Sequence, residues 1–138
     1  MPPEIKRKIS ILQGYLEKLI PYTEISSEEL SSNEEKQAAM ERWFLLMVDE
    51  AIDINSALMY HLGNKVAELA RSTFSELVPL GILDKEFAGK IAESVKIRNE
   101  LTHNYEKRQK SVVIDDMKKF IKIYKEYTQI LIEKFIKT

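Results

Sequence analysis

A sustained apolar stripe through the second quarter of the chain limits its folding options more than any other feature. Met40, Trp43 or Phe44, Met47, Ala51, Ile54 and Leu58 recur every three or four residues. They therefore share one face of a long helix, predicted from Asn33 to His61. An element that long is the scaffold of a bundle. A comparable stripe of Val113, Met117, Phe120, Tyr124, Tyr127, Leu131 and Phe135 predicts a helix over Ser111–Ile136. Ile5, Ile9, Leu12, Leu16 and Leu19 predict another over Pro3–Ile20. Glycine and proline number only four each in 138 residues, and two of the prolines sit at the N-terminus. So few turn formers exclude a fold of many short strands. The expected architecture is all-α, an up-and-down helical bundle of four to five helices in a single domain over residues 1–138.

Local chemistry marks the boundaries. Pro3 suits a first helical turn, where its missing N–H is no loss, and Pro21 closes the first helix. The polar stretch 21–33 reads as a connector with a short turn at Ser27–Leu30. Ser32 followed by Glu35 has the spacing of a capping box. Val66, Leu69, Ala70, Phe74, Leu77 and Val78 predict further helix over 64–80, broken at Pro79 and Gly81. Asp84 is the predicted N-cap of a helix over Lys85–Thr102. The inward face of that helix is Phe87, Ile91, Val95 and Leu101. On the last helix Lys118, Lys119, Lys122 and Lys125 form the wet side. Its tyrosines are expected to be packing residues with wet hydroxyls.

The chain has no cysteine, which excludes disulfides, thiolate metal sites and a cysteine nucleophile. No window holds 18 uninterrupted apolar residues, and no apolar segment follows the N-terminus, so neither a membrane span nor a signal peptide is expected. A cytoplasmic location follows as an expectation. The net charge of −1 is unevenly spread: residues 21–60 hold nine acids against two bases, and residues 61–138 fifteen bases against eleven acids. Asp49, Glu50 and Asp53 cluster on the long helix. They are read as solvated acids and not as metal ligands. No metal and no cofactor are expected. His61 is assigned to the C-terminal end of its helix, where a protonated imidazole is favoured.

The chemistry concentrates in Lys96–Tyr105, which contains the pattern R-x-x-x-x-H-x-Y: Arg98, His103 and Tyr105. A permanently charged fork of donors, a group titrating near neutrality and a phenol lie within eight residues. Such a set suits work on a phosphodiester, although a solvated surface pair has the same spacing. On an ideal helix Arg98 and His103 point about 140° apart. If they serve one site, either the helix ends near Thr102 or two chains build the site together. A Lys/Arg-rich turn, residues 106–110, follows.

Arg98-Asn99-Glu100-Leu101-Thr102-His103-Asn104-Tyr105 resembles the signature of the HEPN superfamily, in its HepT-like toxin branch. The resemblance extends beyond the motif. Glu41-Arg42-Trp43-Phe44 leading into Asp49-Glu50-Ala51-Ile52-Asp53-Ile54 is similar to the long second helix of that branch. Phe74-Ser75-Glu76-Leu77 and Gly81-Ile82-Leu83 are similar to the segment before the motif helix. The resemblance covers about residues 38–130. It implies a dimeric helical bundle acting as a metal-independent ribonuclease, with Arg and His of two protomers meeting across the dimer. It further implies a partner, a minimal nucleotidyltransferase antitoxin that inactivates the toxin by adenylylating the motif tyrosine. Carried over, Arg98 and His103 are catalytic and Tyr105 is the modified residue. Asn99 matches the polar residue after the arginine, and Lys96, Asn99, Lys107 and Arg108 are the candidates for positioning substrate. Asn104 stands where an acidic residue is frequent, so no carboxylate role carries over to that position. The substrate implied is RNA, with transfer and messenger RNA both open. Two rival readings remain at this stage: a non-cleaving module that binds nucleotides or a nucleotidyltransferase, and a purely structural helical dimer.

Overall fold

The computed structural model describes residues 1–103 and 109–137; Tyr105, Lys107 and Arg108 lie outside the described residues. Three long helices form the trunk: α1 (Pro3–Leu19), α3 (Glu34–Gly63) and α7 (Lys110–Phe135). Shorter helices fill the sides: α2 (Ser27–Ser31), α4 (Thr73–Glu76), α5 (Lys85–Ala92) and α6 (Ser94–His103). A 3₁₀ turn, Ile20–Glu24, follows α1. No strand occurs among the described residues. The all-α bundle expected from the apolar stripes is what forms.

The trunk helices meet through those stripes. Ile5, Ile9, Leu12, Leu16 and Leu19 of α1 are all buried, as are Met40, Phe44, Met47, Ala51, Ile54 and Leu58 of α3. Lys8 lies opposite Glu50, while Tyr15 and Lys18 lie against Trp43, so α1 and α3 run antiparallel. Of the stripe assigned to α7 only Phe135 is less than fully buried. Burying each large aliphatic or aromatic side chain is worth roughly 1.5–3 kcal/mol, so these interfaces dominate stability.

Several local expectations change. Asn33, not Ser32, caps α3, its side chain accepting from the Lys36 N–H at 3.1 Å, while the Ser32 hydroxyl donates to the Glu29 carbonyl. The far end of α3 turns through Asn64, in the left-handed region at φ 49°, with the Lys65 N–H bonded to the Met59 carbonyl. His61 lies in the last turn as assigned. Residues 64–72 are not helical. Val66 and Leu69 have helical spacing but stay 79% and 68% exposed. A short helix without a packing partner is marginal, and within 64–80 only Thr73–Glu76, where Thr73 and Phe74 are buried, forms an α-helix.

The helix expected over Lys85–Thr102 is two helices broken at Glu93. The Ser94 hydroxyl, fully buried, donates to the Ile91 carbonyl three residues back at 2.7 Å, competing with the regular ladder. Its single hydrogen is then spent, so it accepts from the Tyr124 hydroxyl at 2.8 Å. The wet-hydroxyl expectation for α7 is overturned. Tyr124 and Tyr127 are fully buried, and Tyr127 bonds Asn55 Oδ1 at 2.5 Å. Desolvation raises the pKa of both phenols. Nor is the lysine face uniformly wet, since Lys118 bonds the Ile25 carbonyl.

Candidate active site

Helix α6 exists because Val95 and Ile97 bury against the bundle, with Leu101 packed at its edge. That packing fixes its rotation, and the rotation fixes the motif. Arg98 falls on the inner flank, toward α3. Lys96, Asn99 and His103 lie within about 60° of one another, turned roughly 100–160° from Arg98. All three are exposed.

Arg98 is held across the helix pair. Its Nε donates to Asp49 Oδ1 at 2.9 Å and its Nη2 to Asp49 Oδ2 at 3.5 Å. Nη1 donates to Asn99 Oδ1 at 3.2 Å. The Arg98 side chain is about one-third exposed and that of Asp49 about half. The pair is therefore accessible and not locked in the core.

These residues line a cleft of about 710 Å³ between α3, α6 and the segment before α4. Asp53, Leu69, Arg71, Val95 and Lys96 complete its walls. Glu93 ties two of its cations together, accepting from Arg71 at 3.3 Å and from Lys96 at 3.1 Å. The Lys96 hydrogen bond, helped by the Arg71 charge, holds the Glu93 carboxyl below its ordinary range. His103 is not among the lining residues. It is the last residue of α6, which runs continuously from Ser94. Within one chain, Arg98 and His103 therefore sit on different faces of one helix.

The acids of α3 differ from the solvated cluster expected. Asp53 is exposed. Asp49 is the ion partner of Arg98. Glu50 is nearly buried, with one carboxylate oxygen that makes no hydrogen bond and lies 4.0 Å from Lys8 Nζ. Desolvation raises its pKa; Lys8 opposes this, Asp53 adds to it, and Arg7 opposes it weakly. Sequence reasoning missed Asp49 and Arg71 as site residues. Asp49 lies 49 positions before Arg98, and nothing short of the α3–α6 packing brings them together. Arg71 was hidden inside a helix that does not form.

A family model described as ribonuclease HepT-like matches residues 12–131. The chain belongs to the HepT-like ribonuclease family. This HepT-like chain is 32% identical over 105 residues to a protein named tRNA nuclease HepT from Aphanizomenon flos-aquae, covering 76% of this chain and 71% of that one. Its fold matches that of a tri-AMPylated HEPN toxin from Shewanella oneidensis, solved in complex with an MNT antitoxin. The TM-score is 0.82 at 13% identity, over 95% of this chain and 98% of the other.

Proposed function

We propose that this HepT-like protein is the toxin of a type VII-like toxin–antitoxin pair, a metal-independent RNA endonuclease whose site two copies of the chain share. The observation that carries the reading is the combination of motif and geometry. Arg98 and His103 have the spacing of the family motif, yet α6 turns them to different faces. Two chains paired along this helix bring Arg98 of one toward His103 of the other. The relative named a tRNA nuclease supports RNA, and transfer RNA first among RNAs, as the substrate class.

The chemistry is attack of a ribose 2′-oxygen on the adjacent phosphorus. A base takes the 2′-hydroxyl proton, the P–O2′ bond forms, the P–O5′ bond breaks, and an acid protonates the departing oxygen. Arg98 offers parallel N–H bonds to the phosphate oxygens as charge develops on them. One imidazole cannot be base and acid in the same step, whereas a two-fold dimer supplies two copies of His103. Lys96 and Asn99 share the His103 face of α6 and serve to position substrate, with Lys107 and Arg108, which follow in the sequence.

Control comes from a minimal nucleotidyltransferase partner. The Tyr105 oxygen attacks the α-phosphorus of ATP, pyrophosphate leaves, and the tyrosine carries an adenylyl group. The solved HEPN toxin, tri-AMPylated and bound to its MNT antitoxin, supports such a partner. A bulky anion two residues from His103 occupies the substrate phosphate's place and neutralises Arg98 without a change of fold.

The test is cleavage of bulk tRNA in EDTA by wild type, Arg98→Ala and His103→Ala. The expected result is cleavage by wild type and a loss of about a hundredfold or more in each variant. Intact mass after incubation with ATP and the partner should show an adenylyl gain that Tyr105→Phe removes. The non-cleaving binding module has one observation in its favour, that Asp49 already engages Arg98. Under that reading wild type and His103→Ala leave tRNA equally intact.

A further inference from the structure

The cleft contains a carboxylate that the motif does not include, bonded to the motif arginine itself. Its geometry decides what it does. A guanidinium has five N–H donors and two useful forks: the side edge of Nε with Nη2, and the outer edge of the two terminal nitrogens. Asp49 takes the side edge, with Oδ1 at 2.9 Å from Nε and Oδ2 at 3.5 Å from Nη2. Asn99 Oδ1 takes one N–H of Nη1 at 3.2 Å. Three donors are engaged, and each terminal nitrogen keeps one N–H. Those two N–H groups are left for phosphate oxygens.

We propose that Asp49 is a positioning residue: it clamps the Arg98 guanidinium from the α3 side so that the remaining terminal N–H groups meet the reacting phosphate. The inference rests on the nuclease reading above and adds a residue to it. Arginine loses rotamer freedom when fixed. Asp49 imposes that loss before substrate arrives. It stands on α3, whose stripe is buried along its length, so the anchor is rigid although its carboxylate is open to the cleft. Asn99, adjacent on α6, steadies the other side of the same group.

The carboxylate also withdraws positive charge from the cleft. Removing it therefore has two opposed effects. Arg98 loses its orientation, which slows the chemical step, while the cleft becomes more cationic, which does not weaken RNA binding. A residue that merely supports the fold produces no such split. A residue that binds substrate directly raises KM.

The experiment uses the full chain on bulk tRNA in EDTA, with wild type, Asp49→Ala, Asp49→Asn, Arg98→Lys and the Asp49→Ala/Arg98→Lys double variant. Thermal melts accompany each variant. Asp49→Ala is expected to lose about tenfold or more in kcat with KM unchanged or lower. Asp49→Asn keeps one acceptor for Nε and falls between. In the Arg98→Lys background, where no fork remains to be held, Asp49→Ala adds less than twofold. In ¹⁵N spectra the Arg98 Nε–H resonance, assigned by its absence in Arg98→Lys, should be protected from exchange in wild type and lose that protection in Asp49→Ala. If wild type cuts and Asp49→Ala matches its kcat within twofold, the inference falls alone. It falls alone likewise if the loss appears only in KM, persists undiminished beside Arg98→Lys, or leaves the Nε–H protection intact. A wild type that cuts no RNA removes the nuclease reading, and this inference with it.

Discussion

At the scale of single residues, the buried polar groups are the ones most exposed to mutation. Asn55 is fully buried; its Nδ2 donates to Thr73 Oγ1 at 3.1 Å and its Oδ1 accepts from the Tyr127 hydroxyl. This small network ties α3 to α4 and α7 through atoms that cannot reach water. Tyr127→Phe deletes one donor and strands the Asn55 oxygen. A loss of about 1–3 kcal/mol in unfolding free energy is expected by urea titration, the cost of a buried acceptor left unpaired. Sequence reasoning placed Tyr124 and Tyr127 on the packed face correctly and misjudged their hydroxyls. A phenol at helical spacing has the same signature whether its oxygen ends at the surface or meets a Ser94 or Asn55 contributed from elsewhere. Asp49 makes the same point for the site: its carboxylate reads as one solvated acid among three until Arg98 is brought to it.

At the scale of helices, caps and register are decided locally, while persistence depends on what lies opposite. Asp84 was legible as an N-cap and does accept from the Phe87 N–H at 2.7 Å. Asp84→Ala should cost about 1 kcal/mol of stability, measured by chemical denaturation, because an orphan donor at the head of α5 loses its acceptor. The α1–α3 seam supplies a pH-dependent term. Glu50 has a folded-state pKa above its ordinary value of 4.5, mainly because burial penalises its charge. A carboxyl raised in this way binds its proton more tightly folded than unfolded. Its ionised form therefore costs stability at neutral pH, and the cost is relieved as pH falls through the folded pKa toward 4.5. Glu50→Gln should melt higher than wild type at neutral pH, and the gap should narrow as the medium is acidified. A gap that stays constant or widens on acidification contradicts this account.

At the scale of the whole molecule, the proposed dimer is the claim with most at stake. Arg98 and His103 leave α6 about 140° apart, so one chain does not aim both at one phosphate. Mixing differently tagged wild-type and His103→Ala chains should give heterodimers, isolated by tandem purification, with far less than half the wild-type activity. Heterodimers that keep full activity would reject the two-imidazole mechanism. The all-helical class, the three trunk helices and the Asp84 cap are legible in the residue pattern alone. Those are properties of period and neighbour, and each is carried by residues within a turn or two of one another. That residues 64–72 stay unwound, that the helix after Asp84 breaks at Glu93, and that Asp49 meets Arg98 are outcomes of packing in three dimensions. Each of these depends on what another segment presents across a gap: among the described residues Val66 and Leu69 stay exposed, Tyr124 awaits Ser94, and α3 offers a carboxylate. Spacing along one helix carries no information about the rotation of its neighbour.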